Sequence, residues 1–129
     1  MYGFTVKVGD DFDAAVERVS DELKREGFGV LTEIDVKETL KKKLGVEKLP
    51  YKILGACNPE LASRALEAEP DIGLLLPCNV IVRQDEDGSV TVGFMDPAAV
   101  LGLVQRKDLE SLGAEVRARL ERVRDALQR

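Results

Sequence analysis

Apolar positions recur along this chain at two periods, and the switches between them mark out its elements. Residues 2–8 alternate, with Tyr2, Phe4, Val6 and Val8 set against Gly3, Thr5 and Lys7. That is the period of a strand with one buried face. Over residues 12–26 the spacing becomes helical through Phe12, Ala15, Val16, Val19 and Leu23. Asp10 or Asp11 stands where an N-cap is needed, and Gly27 where the helix must stop. Residues 28–34 predict a second strand, with Phe28, Val30, Thr32 and Ile34 on one face. Asp35-Val36-Lys37-Glu38 has the form of an acidic capping box. It opens a short helix through Leu40 and Leu44 that ends at Gly45, and residues 51–57 predict a third strand.

Asn58-Pro59-Glu60 carries three agreeing helix-start signals: a capping asparagine, a proline at the first helical position and an acid in the first turn. Leu61, Ala62, Ala65 and Leu66 form the expected inner face. Residues 73–83 are the most continuously apolar run and predict a central strand disturbed at Pro77, since proline cannot donate to the ladder. Asp85-Glu86-Asp87-Gly88 predicts a hairpin turn, and Val90, Val92 and Phe94 a returning strand. Asp96-Pro97 caps a very apolar short helix running to Val104. Residues 108–128 predict the last helix, with Leu109, Leu112, Val116, Leu120, Val123 and Leu127 on one stripe.

Most of these strands are apolar on one face only. A doubly wound parallel sheet would bury both faces of its strands. The pattern therefore predicts an α+β, two-layer sandwich, with a largely antiparallel sheet and helices packed on one face. A length of 129 residues fits a single domain spanning 1–129.

Composition narrows the functional classes. Histidine is absent, which removes Ser-His and Cys-His nucleophile pairs and histidine metal sites. A net charge of −5 argues against nucleic acid as a partner. No run of 18 apolar residues suggests a membrane span, and Met1-Tyr2-Gly3-Phe4 has no signal-peptide character, so a cytoplasmic location is expected. Charged residues reach 33% while asparagine and glutamine are scarce, a thermophile-like composition.

Against that scarcity, the only two cysteines each precede one of the only two asparagines, as Cys57-Asn58 and Cys78-Asn79. These four residues are the candidate site. Cys57 would sit just before a helix N-terminus, where backbone N–H groups favour a thiolate. It is equally well explained as a small residue at a strand-to-helix corner, with Asn58 as a cap. Cys78 is in phase with Leu76 and Val80 and reads as core. If the two strands are neighbours, the thiols are expected near disulfide range, about 4.4–6.8 Å between Cα atoms. A disulfide, a reactive dithiol and a soft-metal site with Met95 are the readings that follow. Two thiolates and one thioether are too few for structural zinc, so no metal and no cofactor is assigned. Lys37, Lys41, Lys42, Lys43, Lys48 and Lys52 form a basic cluster interleaved with acids, which reads as a solvated face.

Tyr51 through Pro59, then Ala62, Ala65-Leu66, Glu69-Pro70 and Leu74-Leu75-Leu76-Pro77-Cys78, together resemble the bacterial and archaeal domain of unknown function family 302. Gly27-Phe28, Glu33-Ile34-Asp35 and Asp96-Pro97 match its pattern as well. The resemblance implies a TATA-binding-protein-like two-layer fold and brings no catalytic residues with it. Two functions stay open at this point. One is a small-ligand-binding or interaction module with a paired-cysteine site. The other is thiol-dependent redox activity using Cys57 and Cys78, so whether the chain is an enzyme is undecided. A homodimer through the apolar segment Pro97–Val104 is also expected, because that helix has almost no polar face.

Overall fold

The period-two segments pair into one sheet. In the computed structural model, which describes residues 1–128, β1 (Gly3–Val8), β2 (Gly29–Asp35), β3 (Tyr51–Cys57), β4 (Cys78–Gln84) and β5 (Val90–Met95) form a five-stranded sheet ordered β1-β5-β4-β3-β2. Every pairing is antiparallel. The helices are α1 (Phe12–Arg25), α2 (Val36–Leu44), α3 (Pro59–Ala68), α4 (Pro97–Gly102) and α5 (Lys107–Leu127), with a 3-10 turn over Pro70–Leu75. The α+β sandwich expected from one-sided strands is the one observed.

One core fills the space between sheet and helices. Val6, Leu54, Val80, Val82, Val92 and Phe94 from the sheet meet Ala15, Val19 and Leu23 of α1 and the Leu109-to-Leu127 stripe of α5. Helix starts follow the local caps. Asp11 accepts from the Ala14 N–H at 2.8 Å and Asp35 from the Glu38 N–H at 2.9 Å, while Gly45 closes α2 in the left-handed region, with φ 67°. Phe4 on the edge strand stacks on Phe94, with ring centroids 5.3 Å apart. The guanidinium carbons of Arg117 and Arg124 each lie 5.4 Å from the Phe4 ring centroid, which ties α5 to β1.

Three expectations need correction. First, Phe28, Val30, Thr32 and Ile34 do not share a face. Val30 pairs with Ala56 but Thr32 with Gly55, so Leu31 is an extra residue in a β-bulge. The bulge inverts the alternation. Thr32 and Ile34 turn to the open face of the sheet, and Glu33 joins the helix side, where its carboxylate is 2.7 Å from Lys52 Nζ. That hydrogen bond, against a smaller opposing effect of burial, holds the Lys52 pKa above its ordinary value.

Second, residues 73–77 are not strand. The 3-10 turn occupies Gly73 to Leu75, the Leu76-Pro77 peptide is cis, and β4 begins only at Cys78. Third, the apolar segment Pro97–Val104 is not bare along its whole length. Leu101 is buried at 4% exposure in the protein's own core. Gly113 makes this closeness possible, since a Cβ there would stand 2.8 Å from the Pro97 carbonyl oxygen and 3.1 Å from the Ala98 Cα. Leu103, just beyond α4, remains 73% exposed, so the core covers this apolar segment only in part.

Gly113→Ala tests the contact. Alanine should gain up to about 1 kcal/mol of helix propensity. The clash is with backbone, which cannot rotate away, and overpacking of this kind costs about 1–3 kcal/mol. A net loss of stability is expected in chemical denaturation; a gain would show that α4 and α5 are not locked together.

Candidate functional site

β3 hands over to α3 at a sharp corner. Cys57 is the last strand residue, Asn58 the cap and Pro59 the first residue of the helix. Asn58 is 8% exposed, and its Oδ1 accepts from the Leu61 N–H at 3.2 Å. Across the ladder, Pro77 leads into β4, and Gly55 leaves room for it. A Cβ on Gly55 would stand 2.2 Å from Thr32 Oγ1 and 2.9 Å from Pro77 Cγ. The bulge at Leu31, the turn before Cys78 and the start of α3 therefore converge at one end of the sheet.

They border a half-open cavity of about 360 Å³. Its walls come from the β2 bulge, the β3–α3 corner, the inner face of α3, the segment before β4, the β5–α4 junction and α5. None of the residues lining it is charged, in a chain whose composition is 33% charged. Leu31 and Leu66 line it while remaining 67% and 42% exposed, so the mouth is apolar too.

Cys57, Asn58 and Cys78 all border this cavity, and Asn79 does not. Asn79 stands opposite Gly55 and is exposed. The two thiols do not form the expected pair. Both are free. Cys78 stands opposite Ala56 and Cys57 opposite Gly29, so the cysteines occupy alternating rather than facing positions of the ladder, and the pleat sends their side chains to opposite sides. Burial pushes the Cys78 thiol up to about 11, and the longer-range repulsion of a charge on Cys57 adds to it. Cys78 is therefore a protonated core residue at neutral pH. No group of three or more His, Cys, Asp or Glu side chains assembles for a metal among the described residues.

The sequence pattern did not single out Leu31, Thr32, Leu112 or Val116 as site residues, although all four line the cavity. Pro77 was the available signal, as an irregularity beside Cys78. The basic cluster leads elsewhere. A second, wider groove of about 540 Å³ is lined by Lys48, Arg83, Glu47 and Glu86 among others. Its charges are of both signs and partly matched, with Lys41 3.5 Å from Glu47 and Arg83 paired to Asp85. It offers an anion no concentrated positive field.

The sequence profile described as "Domain of unknown function DUF302" matches residues 4–127. The chain belongs to the DUF302 family. A crystal structure of an uncharacterised conserved DUF302 protein from Bacillus stearothermophilus superposes with a TM-score of 0.91 at 34% identity, covering 98% of both chains. An uncharacterised protein of Aquifex aeolicus (strain VF5) is 38% identical over 61 residues, which is 46% of this chain and 41% of that protein. The DUF302 resemblance thus extends to the three-dimensional fold, and none of these relatives carries a stated activity.

Three measurements check the corner. Asn58→Ala removes the cap of α3 and should lower stability by about 1 kcal/mol in denaturant titration; an unchanged midpoint would mean the cap contributes nothing. For Cys78, the folded-state pKa of about 11 lies above the ordinary 9.0, so the fold holds the thiol proton more tightly than the unfolded chain does. That stabilisation is complete below pH 9.0 and is lost as pH rises towards about 11. Wild type should therefore lose more stability over that window than Cys78→Ala does. At pH 8, iodoacetamide should modify Cys57 well before Cys78 in the native protein.

Proposed function

We propose that this DUF302 chain is a binding module that takes up a small apolar molecule in the cavity at the β3–α3 corner. The observation carrying this reading is the wall itself: about 360 Å³ bounded only by uncharged, mostly aliphatic side chains. Ligand sites are typically concave, largely apolar and furnished with few polar groups. Here the polar groups include Thr32, Cys57, Asn58 and Cys78. The thiol-redox alternative draws less support, because a dithiol reaction needs two sulfurs that can meet and one that ionises readily. Cys78 is protonated and points to the other side of the sheet from Cys57.

The neutral fluorophore N-phenyl-1-naphthylamine tests the reading directly. Its emission should rise saturably on titration with the protein. Ala62→Phe places a ring in the cavity from a half-buried position on α3. It should abolish the rise without lowering the melting temperature. A wild-type protein that never enhances the fluorophore's emission would end the proposal.

A further inference from the structure

Building on that reading, we infer that the cavity selects uncharged ligands, with room inside it for about fourteen of their non-hydrogen atoms, and discriminates against ionised amphiphiles of the same length. The size follows from volume. A dry apolar cavity of about 150 Å³ accepts one benzene, and this one, at about 360 Å³, is a little over twice as large.

The charge preference follows from what the wall lacks. An ionised carboxylate, phosphate or ammonium moved into apolar surroundings must find a counter-charge or several hydrogen bonds, or its desolvation outweighs the burial of its tail. No Lys, Arg, Asp or Glu lines the cavity. Arg119 approaches Gly27 beside Asn58, but it is not part of the wall and donates to the Glu26 carbonyl oxygen at 3.2 Å. The acceptor oxygen of Asn58 is already engaged by the Leu61 N–H. The Cys78 thiol stays neutral up to about 11, so it offers no charge of either sign. At the mouth, Leu31 and Leu66 continue the apolar wall to the surface, where a charged head group would otherwise be anchored. An alcohol, ketone or ester needs only one hydrogen bond, which the remaining polar groups or a water at the mouth can supply.

Competition against bound N-phenyl-1-naphthylamine at pH 7.5 separates the outcomes, with decan-1-ol, decanoate and decylammonium as competitors sharing one chain length. Decan-1-ol should displace the fluorophore at a concentration at least about tenfold below either ion. Leu31→Lys and Leu66→Lys each place an ammonium at the mouth on an exposed position, where folding is not at stake. In both variants decanoate should approach the alcohol, and decylammonium should weaken further. If decanoate or decylammonium matches decan-1-ol in the wild type, the selectivity is wrong while the binding reading stands. If decanoate is no better in either lysine variant, the absent counter-charge is not its cause. If neither the fluorophore nor decan-1-ol binds, the binding reading itself fails, and this inference with it.

Discussion

The helical layer depends on how tightly the chain turns after β5, and Asp96 sets that turn. Asp96 is 6% exposed, and its carboxylate is fully employed. One oxygen accepts from the Ala98 and Ala99 N–H groups at 2.9 and 3.4 Å, and the other from the Arg117 guanidinium on α5. Its own N–H donates to the Tyr2 carbonyl oxygen at 2.8 Å, beside the edge strand. A buried carboxylate stripped of these partners would be strongly destabilising. With them, it fixes the start of α4, the rotation of α5 and the start of β1 relative to one another. Gly113 then lets α4 and α5 approach until their backbones touch. Leu112 and Val116 flank that glycine on α5, and both face the cavity. The corner that locks the helices together thus also sets one wall of the site.

The opposite wall is built by different means. Gly55 has no side chain, so Thr32 of β2 and Pro77, just before β4, close over it. The bulge leaves Leu31 at the rim, 67% exposed, and turns Thr32 to the open face over Gly55. Alanines at 62 and 65 keep the α3 side shallow. Small residues on one side and a rigid helix pair on the other leave a gap that larger side chains would have filled. The core a few residues away shows what filling looks like: Leu54, Val80, Val82 and Leu120 have no exposed surface at all.

Much of the fold was legible because its signals are local. The caps at Asp11, Asp35, Asn58 and Asp96 each act within a few residues, and a stripe such as Leu109 to Leu127 declares its buried face by period alone. What escaped was non-local or off-period. A single inserted residue at Leu31 leaves the composition of β2 unchanged yet inverts which residues face the helices. The apolar run through Leu74 and Leu75 satisfies a strand pattern and a 3-10 turn equally well. The repeated Cys-Asn dipeptide suggested equivalence, but identical neighbours do not give identical register. One copy ends a strand before a helix cap, and the other begins a strand after a proline. Hence three of the four candidate residues meet at the cavity, while the pairing imagined between the thiols does not occur. No pattern within the apolar segment Pro97–Val104 reveals that a glycine on α5 lets the core cover Leu101 while Leu103 stays exposed.

The cavity is hard to account for as a packing accident. Voids in cores cost about 24 cal/mol per Å³, so a sealed, empty space of about 360 Å³ would cost roughly 9 kcal/mol. That is comparable to the whole stability of an ordinary domain, about 5–15 kcal/mol. Opening at Leu31 and Leu66 lowers the sum by admitting solvent, but water gains little against a wall with so few polar atoms. Either way the apolar surface there stays unburied, although one larger side chain at Ala62 or Ala65 would cover much of it. Substitutions that fill cavities are among the easiest routes to added stability, and their recurrent cost is lost function where a site needs the space. A ligand that buried the same surface would recover the lost contacts only while bound.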